Sequence, residues 1–164
     1  MKKCGLVSLL GEPNVGKSTL VNKIAGTKVS IVTHKAQTTR TRIRGIRVIE
    51  DTQIILVDTP GVFVPKRRLD RAMVSAAWGG FTEADIILFM LDVSRGLTEG
   101  SKSILKSVGD KQYEKCPIIL LLNKIDKIKR NDLLNLSKTL NVLFDFSATF
   151  MISAEKGSGT EDLV

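Results

Sequence analysis

Short apolar runs of strand length alternate along this chain with stretches whose apolar residues recur at helical spacing. Residues 4–10 are the first run, and residues 19–25 follow with Leu20, Val21 and Ile24 on one side, the pattern of a short amphipathic helix. From 42 to 50 apolar and basic residues alternate, Ile43 between Arg42 and Arg44, then Ile46 and Val48 about Arg47. That is a strand with one covered face. Its phase slips by one at Gly45, which predicts a bulge. Asp51 and Thr52 turn the chain, and residues 53–57 return as a buried strand, so the two form a hairpin. Residues 86–91 (IILFML) and 118–122 (IILLL) are apolar without alternation, the mark of strands covered on both faces. Helices are expected over 69–84, weakened late by Gly79-Gly80, and over 98–108, capped by Thr98 or Ser101. Asn131 is expected to cap a helix through about Leu140. A sixth strand covers 146–152, and a last helix opens at 161–164, where the chain stops. The alternation predicts a three-layer α/β domain: a six-stranded, mostly parallel sheet with one antiparallel edge strand, residues 42–50, and a truncated final helix.

The turns after the strands carry the chemistry. Gly11-Glu12-Pro13-Asn14-Val15-Gly16-Lys17-Ser18 reads G-x-x-x-x-G-K-S and joins the first strand to the first helix. In that context its backbone N–H groups cradle phosphate, the helix presents its positive end, Lys17 reaches the β- and γ-phosphates, and the Ser18 hydroxyl ligates Mg²⁺. Thr19 completes the phosphate loop. Residues 28–40 are a polar loop where a switch segment would lie, with Thr39, or failing it Thr38, as a second Mg²⁺ ligand. The third strand delivers Asp58-Thr59-Pro60-Gly61. Asp58 is placed to hold Mg²⁺ through water, and the Gly61 N–H to meet the γ-phosphate. A second switch loop follows over 62–68. The fifth strand delivers Asn123-Lys124-Ile125-Asp126. A buried carboxylate at Asp126 accepts the paired donors of guanine N1 and its exocyclic amine, which adenine lacks. The Lys124 stem covers the base, and Asn123 ties this loop to the phosphate loop. Ser153, Ala154 and Glu155 follow the sixth strand, with the Ala154 N–H aimed at guanine O6.

Composition narrows the picture. The chain has 164 residues, 43% hydrophobic and 26% charged, enough for one domain with a packed core. A net charge of +8 favours anionic partners. Cys4 and Cys116 make no disulfide framework and read as buried, reduced thiols. No apolar run reaches the length of a membrane span. His34, the only histidine, reads as an exposed loop residue.

The phosphate loop, Gln37-Thr38-Thr39-Arg40, Asp58-Thr59-Pro60-Gly61-Val62 and Asn123-Lys124-Ile125-Asp126 together resemble the Era-like family of bacterial GTPases, over essentially the whole chain. Der- and TrmE-type GTPases are the alternatives within that class. The resemblance implies slow GTP hydrolysis as a switch in small ribosomal subunit assembly, with Lys17, Thr39 and Gly61 catalytic and Mg²⁺ held by Ser18, Thr39 and Asp58. It covers only the GTPase half of such proteins, without their RNA-binding KH domain. The attacking water is not oriented by a glutamine, since Val62 and Phe63 occupy that place. Asn14 stands where TrmE-type proteins hold K⁺. The resemblance further implies small-subunit ribosomal RNA and the 30S subunit as partners. It also implies a cytoplasmic monomer, with peripheral contact to the inner membrane. The basic cluster of Lys35, Arg40, Arg42, Arg44, Arg47 and residues 66–68 is the candidate RNA surface. A remnant that binds GDP or GTP without turnover is the competing reading. An ATP-dependent kinase is opposed by Asp126.

Overall fold

A computed structural model of the chain describes residues 3–28, 43–58, 84–110 and 116–163. The elements are β1 (Lys3–Leu10), α1 (Lys17–Ala25), β2 (Ile43–Ile49), β3 (Thr52–Asp58), β4 (Ile86–Asp92), α2 (Glu99–Asp110), β5 (Ile118–Asn123), a 3₁₀ turn (Ile125–Lys127), α3 (Arg130–Leu143) and β6 (Ala148–Ile152). The six strands form one sheet in the order β2-β3-β1-β4-β5-β6. Every neighbouring pair is parallel except β2 with β3.

The central strands have no polar face because both of their faces are covered. Ile87, Phe89 and Leu91 of β4, with Leu120 and Leu122 of β5, pack with Ile104, Leu105 and Val108 of α2 and Leu133 and Leu140 of α3. The alternate residues Leu88, Met90 and Leu121 pack with Leu20, Val21 and Ile24 of α1. Among the described residues, one helix lies on one face and two on the other, which makes the three layers expected.

The strand order reverses at β1. The chain runs from β1 out to the edge strand β2, returns through β3, then crosses to β4 on the opposite side of β1. The carboxyl end of β1 is therefore a topological switch point, where open α/β sheets bind ligands. The phosphate-loop sequence lies there.

Several local expectations are corrected. The hairpin register runs without interruption from Ile43 opposite Asp58 to Ile49 opposite Thr52, so Gly45 makes no bulge. On this edge strand Ile46 and Val48 are exposed and Gly45 is the buried residue. The residue read as a slip simply occupies the covered side. Thr98 does cap α2, its Oγ1 accepting the Ser101 N–H at 3.0 Å. Asn131 does not cap α3, which starts at Arg130 after Lys129, with no side-chain cap. Residues 161–163 form a bend and turn, not the opening of a last helix. Leu163 still packs against the α1-side core. Cys4 is exposed at the outer end of β1 and Cys116 is partly buried, where its thiol meets the Ala84 carbonyl at 3.3 Å. The expected helix over 69–84 lies outside the described residues.

Candidate nucleotide site

The phosphate loop leaves β1 at Gly11 and enters α1 at Lys17. Gly16 has φ 107°, and a side chain there would run into the Asn123 amide. Glycine is needed at this point on both counts. Lys17 is 7% exposed, with Nζ donating to the carbonyls of Gly11 at 3.0 Å and Glu12 at 2.9 Å. Burial pulls its pKa down to about 8, against the nearby charges of Asp58 and Glu12, which hold it up. Folding has thus placed a desolvated cation where an anion belongs.

Ser18 Oγ donates to Asp58 Oδ2 at 2.6 Å, so the start of α1 and the end of β3 meet as predicted. Asp58 is fully buried. One hydroxyl and one carboxylate are a hard-oxygen pair. Mg²⁺ commonly takes one or two such ligands and completes its shell with water and phosphate oxygens. The residues fit the ion.

Asn123, 2% exposed at the end of β5, is the hub of the site. Its Nδ2 donates to the Val15 carbonyl at 2.7 Å, and its Oδ1 accepts the Ala154 N–H at 2.9 Å. One amide therefore ties the phosphate loop, the loop after β5 and the loop after β6 together. The Ala154 N–H, expected to face guanine O6, is engaged by Asn123 instead. Glu155 beside it is exposed.

Lys124 sits in the left-handed region, φ 67°, as does Asn14, φ 65°. Its Nζ donates to the Asn14 carbonyl at 2.9 Å and to Asp92 Oδ2 at 2.5 Å. Those two bonds tie its side chain to the phosphate loop and to the end of β4, and stabilise a backbone geometry that lysine otherwise avoids. Asp92, at the end of β4, was not singled out by the sequence. Burial raises its pKa, but hydrogen bonds from Lys124 and Ser94 outweigh that and leave it below the ordinary carboxylate range. Its only sequence signal was an acid closing an apolar strand.

Asp126 is less enclosed than expected, since its side chain keeps 15% of its exposure. Oδ1 accepts the Ser153 hydroxyl at 2.7 Å, and Lys156 Nζ stands 3.6 Å from Oδ2. The Ser153 hydrogen bond, ahead of Lys156, holds its carboxyl below the usual range. It is thus a fixed anion in the turn after β5, held against the loop that follows β6. Pro13 and Thr19 are half-buried around the cradle. Thr38, Thr39, Thr59, Pro60 and Gly61, His34, Lys35, Arg40, Arg42 and residues 62–68 lie outside the described residues. Of the basic cluster, Arg47 is exposed on β2.

A lysine-bearing phosphate loop at the switch point, tied through Asn123 and Lys124 to the loop that carries Asp126, is the arrangement of a P-loop domain of the guanine-nucleotide class. The chain belongs to the family described as 50S ribosome-binding GTPase, whose model matches residues 6–124. GTPase Era of Dinoroseobacter shibae is 54% identical over 161 residues, 98% of this chain and 52% of that protein. GTPase Era of Brucella suis is 54% identical over the same span, 51% of its length. The chain thus spans about half the length of the curated relatives it matches. Among solved structures, Era in complex with MgGDPNP and nucleotides 1506–1542 of 16S ribosomal RNA superposes with TM-score 0.93 at 39% identity, covering 99% of this chain and 55% of that one. Aquifex aeolicus Era, as a point variant bound to GDP and AlF4⁻, gives TM-score 0.90 at 39% identity, with the same coverage. Among the described residues no helix is long and apolar enough to cross a membrane.

Proposed function

We propose that residues 1–164 form one guanine-nucleotide-binding domain that takes GTP and GDP with Mg²⁺ and hydrolyses GTP slowly as a switch. The observation that carries the reading is the Asn123 amide, which joins the Val15 carbonyl to the Ala154 N–H. It makes phosphate cradle and base loop one site. Lys17 neutralises phosphate charge, and Asp126 reads the guanine N1 and amine donors. Ser18 and Asp58, with Thr39, hold Mg²⁺, and Gly61 offers its N–H to the γ-phosphate. When bound, Mg²⁺ supplies charge neutralisation on the β- and γ-oxygens. Asn14, exposed at the loop tip, brings an amide oxygen that suits a K⁺ ion beside the phosphates. The cation there would stabilise charge in the transition state.

The role extends to ribosome assembly. The 16S fragment in the Era complex favours the small subunit over the 50S named in the family description. Arg47 and the rest of the basic cluster would meet RNA phosphates, with a binding constant that falls steeply with salt. The working form is a cytoplasmic monomer, and the net charge of +8 suits peripheral contact with an acidic inner-membrane surface.

The test is phosphate release from GTP with Mg²⁺, in K⁺ and in Na⁺, with ATP as control. GTP-specific turnover that is faster in K⁺ supports the whole reading. Equal rates in the two salts remove the K⁺ site alone. Guanine binding with no turnover leaves a nucleotide-binding domain and removes the enzyme.

A further inference from the structure

We propose that Glu12 is a positioning residue whose carboxylate anchors the entry limb of the phosphate loop to the first turn of α2, and that this anchor slows nucleotide release. The inference rests on the guanine-nucleotide reading above. The G-x-x-x-x-G-K-S pattern leaves position 12 open, so the phosphate cradle itself does not require a glutamate there. The Glu12 side chain instead leaves the cradle. Oε2 accepts the Thr98 hydroxyl at 2.5 Å and the Ser101 hydroxyl at 2.7 Å, across a sequence separation of 86 and 89 residues.

Three features make the contact specific. Ser101 is 3% exposed and Glu12 half-buried, so these are charge-assisted bonds away from bulk water. The carboxylate faces the first turn of a twelve-residue helix, where negative charge is favoured. It also fills the space that a Cβ on Gly100 would need, and residue 100 is a glycine. The same residue meets the phosphate-binding lysine from its other end, its carbonyl accepting from Lys17 Nζ at 2.9 Å.

The loop thus has two anchors. Lys124 and Asn123 hold its far limb through the carbonyls of Asn14 and Val15. Glu12 holds its entry limb through α2. Opening the cradle to release a nucleotide means moving one limb from its anchor.

The test is the dissociation rate of a fluorescent GDP in Mg²⁺ from the wild-type chain, E12A, E12Q, G100A and the E12A/G100A double variant. A thermal melt of each without nucleotide is run alongside. E12A is expected to speed release about tenfold, the scale of losing charge-assisted hydrogen bonds. E12Q, whose amide oxygen still accepts a hydroxyl but carries no charge, is expected to release GDP at a rate between those of wild type and E12A. G100A puts a methyl group where the carboxylate sits. It is expected to release GDP as fast as E12A while melting no lower than wild type, because alanine favours the helix. The double variant should be no faster than either single change. Wild-type release rates in both E12A and G100A, or additive effects in the double variant, would overturn the anchor. A wild-type chain that takes up no GDP overturns the functional reading and the anchor with it. Uptake by wild type with unchanged variants overturns the anchor alone.

Discussion

At the scale of single residues, Lys17 and Asp126 are charges whose protonation the fold has already biased. Burial lowers the Lys17 pKa to about 8, so without nucleotide the unfolded chain binds more protons than the native one between about 8 and the ordinary lysine value. Stability from this group therefore rises with pH through that window and is lowest below it. Bound phosphate reverses the bias by favouring the charged amine, so above about pH 8 Lys17 takes up a proton as the nucleotide binds. The GDP dissociation constant is accordingly expected to be flat from pH 7 to about 8, then to rise toward tenfold by about pH 9. Titration of fluorescent GDP across that range checks it, and a flat profile to pH 9 would sink the assignment of Lys17. Asp126 is displaced the opposite way. Its carboxyl stays ionised below the usual range because the Ser153 hydroxyl donates to it. What it contributes to stability is present at neutral pH and lost on acidification through that lowered value. Asp126→Asn keeps the shape but replaces one acceptor by a donor. It is expected to weaken GDP by about 100-fold or more and to recover affinity for xanthosine diphosphate, whose base carries a carbonyl in place of the amine. Competition binding with both nucleotides distinguishes this from simple misfolding, which would lose both.

At the scale of elements, α3 shows how much of a helix's stability lies on one face. Leu140 is fully buried, whereas Val142, two residues on, is 87% exposed. Leu140→Ala is expected to cost about 2–5 kcal/mol, and Val142→Ala less than about 0.5. Urea unfolding of the two variants measures both, and comparable losses would mean that α3 is not docked by this face. The elements also show where local reading fails. The apolar pattern located α3 correctly, but Asn131 was an attractive cap that the helix does not use. Helix boundaries are set within a residue or two by how the preceding turn leaves β5, and propensity does not see that turn. Gly45 failed for a related reason. Alternation read along one strand cannot tell a bulge from a buried position on an edge strand, because the covering partner lies elsewhere in the chain.

At the scale of the whole molecule, the nucleotide is expected to act as part of the structure, since it would link loops after β1, β3 and β5. Mg²⁺ with GDP at about 100 times its dissociation constant should add about 2.7 kcal/mol. For a domain of this size that is a shift in melting temperature of about 5–10 °C. ADP at the same concentration should give none. A thermal melt with each nucleotide decides it, and equal shifts would remove the guanine specificity assigned to Asp126.

Much of the site was legible before any fold was known. Spacing alone binds Gly16, Lys17 and Ser18 into one turn, and the polar residues closing apolar strands announced Asp58 and Asn123, which the sheet brings to that turn. Chemistry of that kind is local, because the residues that share a job are neighbours in the chain. The apolar strands likewise implied a sheet covered on both sides, since strands buried on both faces read as continuous apolar runs of this length. What lay beyond reach was every relation between distant segments. The order β2-β3-β1-β4-β5-β6, the anchoring of Glu12 on Thr98 and Ser101, the Asp92–Lys124 pair and the engagement of the Ala154 N–H by Asn123 depend on which carboxyl ends the sheet sets side by side. Strand pairing is chosen by packing across both layers and by the hand of the crossovers. Neither leaves a periodic trace along the chain, so only the assembled tertiary structure could decide them.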